Sequence, residues 1–316
     1  MNFKGWSNYS FFFSAENTQE FLKKCYQKLG LENAEQKGYE NCYSFIYYLE
    51  HGHIYFEQAE KAPLILKPIL LFYGLAHLVK ACILTVVPSY PESTAVLAHG
   101  VSTRKRKKQN YQFFHDEVKF QKNGLFPFMA ETLFHMKQLE GDKATMEELL
   151  RLIPEMDSLF FQLENEKNFI PIRKQENEFF LSETILDRFH MTEQRFMDFL
   201  SSKTALNVSF SPTGNGHLIF TMDEDIFTQK NLFKYDLEEK HFVLPSAKST
   251  LFQLPELLIH YLLLYNLSMI ARYETEWWGE LTKMMPNKDY PFIDSFMNVT
   301  LKKSPFLIYQ FLVRYA

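Results

Sequence analysis

Tyr73, His77 and Lys80 stand at i, i+4 and i+7 in an apolar stretch, and Tyr265, Ser268 and Arg272 carry a matching pattern near the far end of the chain. Such spacings line one face of a helix. Each stretch therefore presents an aromatic hydroxyl and a cation, seven residues apart, along a helix that is otherwise core. Tyr261 and Glu276 extend the second stripe. If the stripes face each other they form a polar site inside an apolar bundle, where a buried cation needs a carboxylate, a phosphate or another anion. Anion binding is one reading. In the other, Lys80 and Arg272 lie at helix ends, pair with Glu274 or Glu276, and favour the negative end of the helix dipole.

Other residues could join either stripe. His99 and Gly100 follow an apolar turn in a loop, where functional residues concentrate, with Ser102 just beyond. A His-Gly pair is also an ordinary helix end. His77 and His260, on apolar helices, read as core histidines or as ligands. Tyr273, Trp277 and Trp278 form the densest aromatic patch, of the kind that anchors protein interfaces or plugs the end of a bundle. Arg104 to Lys108 is a run of five cations, followed by Tyr111, Phe113, Phe114 and His115. It could meet nucleic acid, or be a solvated loop. No Gly-rich phosphate loop, His-Glu-x-x-His, Gly-x-Ser-x-Gly or paired-cysteine motif occurs. Thr213-Gly-Asn-Gly216 lacks the Lys-Ser/Thr of a phosphate loop and is flanked by strand patterns. The residues thus name no catalytic group, cofactor or metal.

The elements that would position these groups are mostly helical. Asn17 to Glu20 fits a capping box and Gly30 a stop, predicting a helix over 17–29. Tyr39 to Leu49, closed by Gly52, predicts a second, and His53 to Ala62 a short third. Pro68 opens the long apolar helix to about Val86. Glu117 to Gln121 reads as a strand entering a tight turn at Asn123-Gly124, before a helix near 127–139. Thr145 to Glu148 is a second capping box. Phe169 to Ser182 and Asn207 to Thr221 predict hairpins. Pro255 starts a helix to about Glu280, and helices near 290–303 and 305–315 follow. The fold class is α+β, predominantly α. Residues 1–110 and 250–316 form the helical core, and 111–249 an α+β insertion with a small antiparallel sheet.

Composition bounds the rest. With 46% hydrophobic and 23% charged residues over 316 positions, the chain has the balance of a folded protein. Its 32 Phe and 17 Tyr, against 11 Gly, predict a core built on rings. A formal charge of -4 argues against a protein that coats nucleic acid. Cys25, Cys42 and Cys82 lack metal spacing and read as reduced thiols, which points to the cytoplasm. Met1 to Trp6 has no secretory pattern. The apolar stretches 68–87 and 254–271 carry His77, Lys80, Glu256, His260 and Asn266, so they are expected to be buried helices, with no membrane partner.

Taken in order, Pro68 to Ala81 with Tyr73, His77 and Lys80, then His99-Gly100-Val-Ser102, then Asn123-Gly124-Leu-Phe126, then Leu267-Ser268-Met-Ile-Ala-Arg272-Tyr273 with Trp277, resemble the YaaC-like family of bacterial proteins. The resemblance spans most of the chain. It implies a helical, HEPN-like part from Tyr73 to Ser102, and a gene neighbourhood beside IMP dehydrogenase that suggests purine metabolism. HEPN ribonucleases place His four to six residues after Arg. Here Arg104 precedes His115 by too many residues and Arg188 precedes His190 by too few, which speaks against nuclease activity. Two functions are carried forward. The first is a non-enzymatic regulator or adaptor that binds a partner protein such as IMP dehydrogenase through Tyr273, Trp277 and Trp278. The second is a nucleotide or RNA site built from Tyr73, His77, Lys80, His99, Ser102, Tyr265, Ser268 and Arg272.

Overall fold

The structure, a computed structural model, describes residues 3–103, 111–137, 139–204, 206–214, 216–222, 232–248, 251 and 253–314. The basic run Arg104 to Lys108 lies outside the described residues. Ser14 caps the first helix, α1 (Ala15–Lys28), by accepting the Asn17 N–H at 3.4 Å. The cap thus falls three residues before Asn17, and a 3-10 segment, Gly5–Phe13, precedes it. The second helix, α2, is continuous over Ala34–Lys61, where two helices broken at Gly52 were expected. Gly52 is a packing residue rather than a stop. A Cβ there would lie 2.4 Å from Cδ2 of Leu78, so only glycine lets the next helix, α3 (Lys67–Val86), approach this closely. Gly74 answers from α3, where a Cβ would lie 2.9 Å from Tyr55.

Pro68 in the first turn of α3 fits its fixed φ and missing N–H. This helix is long and apolar enough to cross a membrane, yet 67% of its apolar window is buried within the structure. Strands β1 (Val101–Thr103) and β2 (Glu117–Phe120) pair antiparallel, helix α4 (Leu125–Phe134) follows, and β3 (Lys143–Thr145) completes a sheet of order β1-β2-β3. The turn at Asn123-Gly124 leads into α4, the helix expected near 127–139.

The chain forms two compact units, residues 1–146 with 260–316, and residues 147–259. Helix α5 (Met146–Leu150) opens the second unit, which continues with α6 (Asp157–Glu164), β4 (Phe169–Gln175), β5 (Glu178–Ser182), α7 (Thr184–Phe189), α8 (Glu193–Lys203), β6 (Val208–Gly214), β7 (His217–Met222), β8 (Lys234–Asp236) and β9 (His241–Pro245). The two expected hairpins are β4–β5 and β6–β7. With β8 and β9 they make one antiparallel sheet of order β6-β7-β5-β4-β9-β8. Phe179 packs on Phe220 at 5.7 Å and on Phe242 at 5.6 Å, giving this sheet the aromatic core that the composition predicts.

Helix α9 (Glu256–Tyr273) ends earlier than expected, and α10 (Thr275–Met284) follows a break at Glu274. The last helix, α11 (Asp289–Val313), runs through Pro305 instead of dividing there. Proline removes one helical hydrogen bond and frees a carbonyl. Nearby, the buried hydroxyl of Tyr9 donates to the Pro305 carbonyl at 2.6 Å. The helices and two antiparallel sheets together make the predominantly helical α+β class anticipated from sequence.

Candidate functional site

All candidate ligand residues lie in the first unit, and the two stripes meet. Arg272 Nη1 donates to the Tyr73 hydroxyl at 3.3 Å, and the guanidinium carbon stands 5.9 Å from that ring's centre. Arg272 Nε donates to the Ser268 carbonyl and Nη2 contacts the Met269 sulfur. No carboxylate among the described residues forms an ion pair with Arg272 or Lys80, so pairing with Glu274 or Glu276 is not what holds them. Lys80 Nζ instead stands 5.9 Å from the centre of the Tyr48 ring, a cation–π distance. Burial lowers the Lys80 pKa, which is the cost of withdrawing an unpaired ammonium from water.

His99 packs among the rings that carry the stripes. Its ring packs against Phe72 at 4.9 Å, Tyr265 at 5.7 Å and Tyr73 at 6.2 Å. Its backbone is fixed from three sides. Phe126 N–H and the Tyr261 hydroxyl both donate to the His99 carbonyl, and Leu125 N–H donates to the Ala98 carbonyl. The start of α4 can come this near because Gly100 and Gly124 both have positive φ, and a Cβ on Gly124 would sit 2.4 Å from the Gly100 Cα. Burial, then Arg272, then Lys80 push the His99 pKa down. Burial is thus the main reason the charged imidazole is disfavoured at His99.

Helix α2 supplies a third wall that sequence reasoning missed. Around His77 stand Tyr55, stacked at 5.8 Å, His51 at 5.2 Å and Tyr48 at 6.1 Å. Burial is the largest cause, followed by Lys80 and His51, of a His77 pKa pushed down to about 4. Its Nδ1 is buried without a hydrogen-bond partner among the described residues, as is the Tyr90 hydroxyl. The Tyr90 ring packs against Phe128 at 5.7 Å. Buried polar atoms are nearly always satisfied, so the unpartnered Nδ1 of His77, three residues from the half-buried Lys80, calls for a ligand or solvent. The signal for α2 was present as Tyr48, His51 and Tyr55 at helical spacing. It was obscured by taking Gly52 as a helix end.

Not every candidate joins. Ser268 is fully buried and its hydroxyl donates to the Tyr265 carbonyl, the usual local solution for serine in an apolar helix. Ser102 sits on β1, where its hydroxyl accepts from Gln121 Nε2 at 2.7 Å. Tyr265 contributes its ring, being 6% exposed. The aromatic patch divides. Tyr273 is 66% exposed, Trp277 is half-buried edge-on to Tyr111 at 4.6 Å, and Trp278 is fully buried with Nε1 donating to the Ile65 carbonyl. The expectation that Trp278 shares a partner-facing surface is corrected: its indole is core, bonded to the connection between α2 and α3 at Ile65. His260 is likewise core, bonded to Thr300 and stacked on Phe296. No cluster of three or more His, Cys, Asp or Glu that could hold a metal occurs among the described residues.

Lys80 over the Tyr48 ring and Arg272 on the Tyr73 hydroxyl are thus half-buried cations that no carboxylate among the described residues pairs. Comparison with protein-family models matches residues 10–312 to the YaaC-like protein family. The match covers nearly the whole chain, and the chain belongs to that family. No curated protein and no solved structure matches it.

Proposed function

We propose that this member of the YaaC-like family is a ligand-binding protein whose first unit takes a phosphate-bearing nucleotide in the Tyr73, His77, Lys80, His99, Tyr265 and Arg272 cluster. One observation carries this reading. Two half-buried cations, neither in an ion pair among the described residues, stand on the aromatic walls, Arg272 on Tyr73 and Lys80 over Tyr48, with the buried His77 Nδ1 left without a partner. Leaving such charges half-buried is costly unless an anion repays it, and aromatic walls suit a ligand that also has a flat ring. Phe72, Tyr73 and Tyr265 around His99, with Tyr48 and Tyr55 around His77, supply those walls.

The test is the ligand carried through purification, read as excess absorbance at 260 nm and identified by mass spectrometry. Lys80→Ala should lose it, whereas neutralising Arg104 to Lys108 should not. Loss from both variants would move binding to the basic run and end the proposal for the cluster. Docking of a partner protein such as IMP dehydrogenase has one observation in its favour. Tyr273 and Met284, at the two ends of α10, are exposed apolar groups. For that reading, Tyr273→Ala should keep the fold and abolish capture of the purified enzyme.

A further inference from the structure

Helix α2 turns an aromatic face to solvent. Tyr39, Tyr43, Tyr47 and Ile54 are 48% to 67% exposed, and the Tyr43 and Tyr47 rings stand 6.1 Å apart. The opposite face of the helix, with Cys42, Phe45, Leu49 and Phe56, is buried. Single exposed apolar residues are ordinary, whereas a contiguous row of them marks an interaction surface. The row is also regular. Glu40, Tyr43, Tyr47, Glu50, Ile54, Glu57 and Lys61 follow one another at alternating steps of three and four residues, the heptad spacing with which two helices pack along their length.

We propose that this face is an interface with a second copy of the same chain, in which two α2 helices lie antiparallel about a twofold axis. An isologous contact needs a self-complementary surface, and α2 has one. Centred between Tyr47 and Glu50, the antiparallel alignment sets Tyr43 against Ile54 of the second copy. It also sets Tyr47 against Glu50 of the second copy, whose carboxylate accepts from the tyrosine hydroxyl. At each end Lys37 and Glu40 meet Glu57 and Lys61 of the second copy. Within one chain these residues form the pairs Lys37–Glu40 at 2.7 Å and Lys61–Glu57 at 2.6 Å. Across the axis they make a quartet of alternating charge, with Lys37 beside Glu57 and Glu40 beside Lys61. A parallel alignment instead sets each charge against its own counterpart, and like charges in contact are costly. The charges therefore select both the partner and its direction. This contact does not depend on the nucleotide reading.

The experiment is sedimentation equilibrium of the full chain, with thermal melting of each variant to check its fold. The unsubstituted chain should sediment at twice its 37.6 kDa. Tyr47→Glu, an exposed position at the centre of the row, should leave a monomer, and Tyr43→Glu serves should that variant unfold. Lys61→Glu should weaken dimerisation by at least about tenfold, because it gives each quartet an excess of like charge and the axis doubles the loss. Adding Glu40→Lys to Lys61→Glu should restore affinity to within about threefold, since every cross-chain pair in the quartet then has opposite sign. A chain that stays monomeric at about 100 μM overturns the proposal and leaves the face to a different protein. A dimer indifferent to Tyr47→Glu overturns it by placing the interface elsewhere. Failure of the double exchange to recover the dimer overturns the antiparallel pairing.

Discussion

Lys80 and His77, one turn apart on α3, respond to burial in ways that can be measured separately. For His77 the folded pKa lies near 4, below the value of about 6.5 for a free imidazole. Above pH 6.5 neither the folded nor the unfolded state binds the proton, and stability is unaffected. As pH falls from 6.5 towards 4 the unfolded chain takes up the proton first, so stability declines. His77→Gln should remove this slope. Discounted for the solvent that screens a half-buried ring, its fall in Tm between pH 7 and 4.5 should be smaller than the parent's by about 2–4 °C, roughly 1 kcal/mol for a chain of this size. Parallel Tm curves would show that His77 is not buried as a neutral imidazole. Lys80 adds to that neutrality by its charge, so an anion beside Lys80 should raise the His77 pKa, visible as a shifted imidazole titration by NMR.

At the scale of elements, the contact of α2 with α3 decides whether the third wall exists. Helix propensity alone makes Gly52→Ala stabilising by about 1 kcal/mol. Packing predicts the reverse. The new methyl would meet the fully buried Leu78 at 2.4 Å and the Gly74 carbonyl at 3.3 Å, and overpacking costs about 1–3 kcal/mol. Urea unfolding should therefore find the variant less stable by about 1–2 kcal/mol net. Because Tyr48, His51 and Tyr55 ride on α2, nucleotide affinity should drop as well. A more stable Gly52→Ala protein would mean that the helices do not pack as described.

At the scale of the whole molecule, buried polar bonds join segments far apart in the chain. Asn266 Nδ2 donates to Asp116 at 2.9 Å and to Thr103 at 3.2 Å, Tyr111 donates to the same Asp116 oxygen at 2.8 Å, and the Phe113 N–H donates to Asp289. Asp116, Asn266 and Asp289 are all nearly or fully buried. Near the other end, Phe3 packs on Phe306 and Tyr9 on Tyr309. The first unit is thus closed by residues from both ends of the sequence. Replacing Asn266 by Leu removes a donor from a buried carboxylate, and should lower unfolding free energy by about 1–3 kcal/mol. An unchanged urea midpoint would show that the donor is dispensable.

The sequence by itself determined whatever depends on short spacing. The 3.6-residue pattern located α1, α3 and the start of α9, alternation and Asn-Gly-type turns located the β4–β5 and β6–β7 hairpins, and residue order identified the family. It also put Tyr73 with Lys80, and Tyr265 with Arg272, on single helix faces. Glycine and proline were read less well, because their local meaning is ambiguous. Gly52 and Pro305 look like breaks, yet tertiary contacts hold both inside helices. Only the tertiary structure decided that Tyr73 and Arg272 touch, that α2 brings Tyr48, His51 and Tyr55 to His77, that Ser102 and Ser268 are spent on local bonds, and that Trp278 is core. Each of these is a contact between residues far apart in the chain or a choice among hydrogen-bond partners, and neither leaves a periodic trace in sequence.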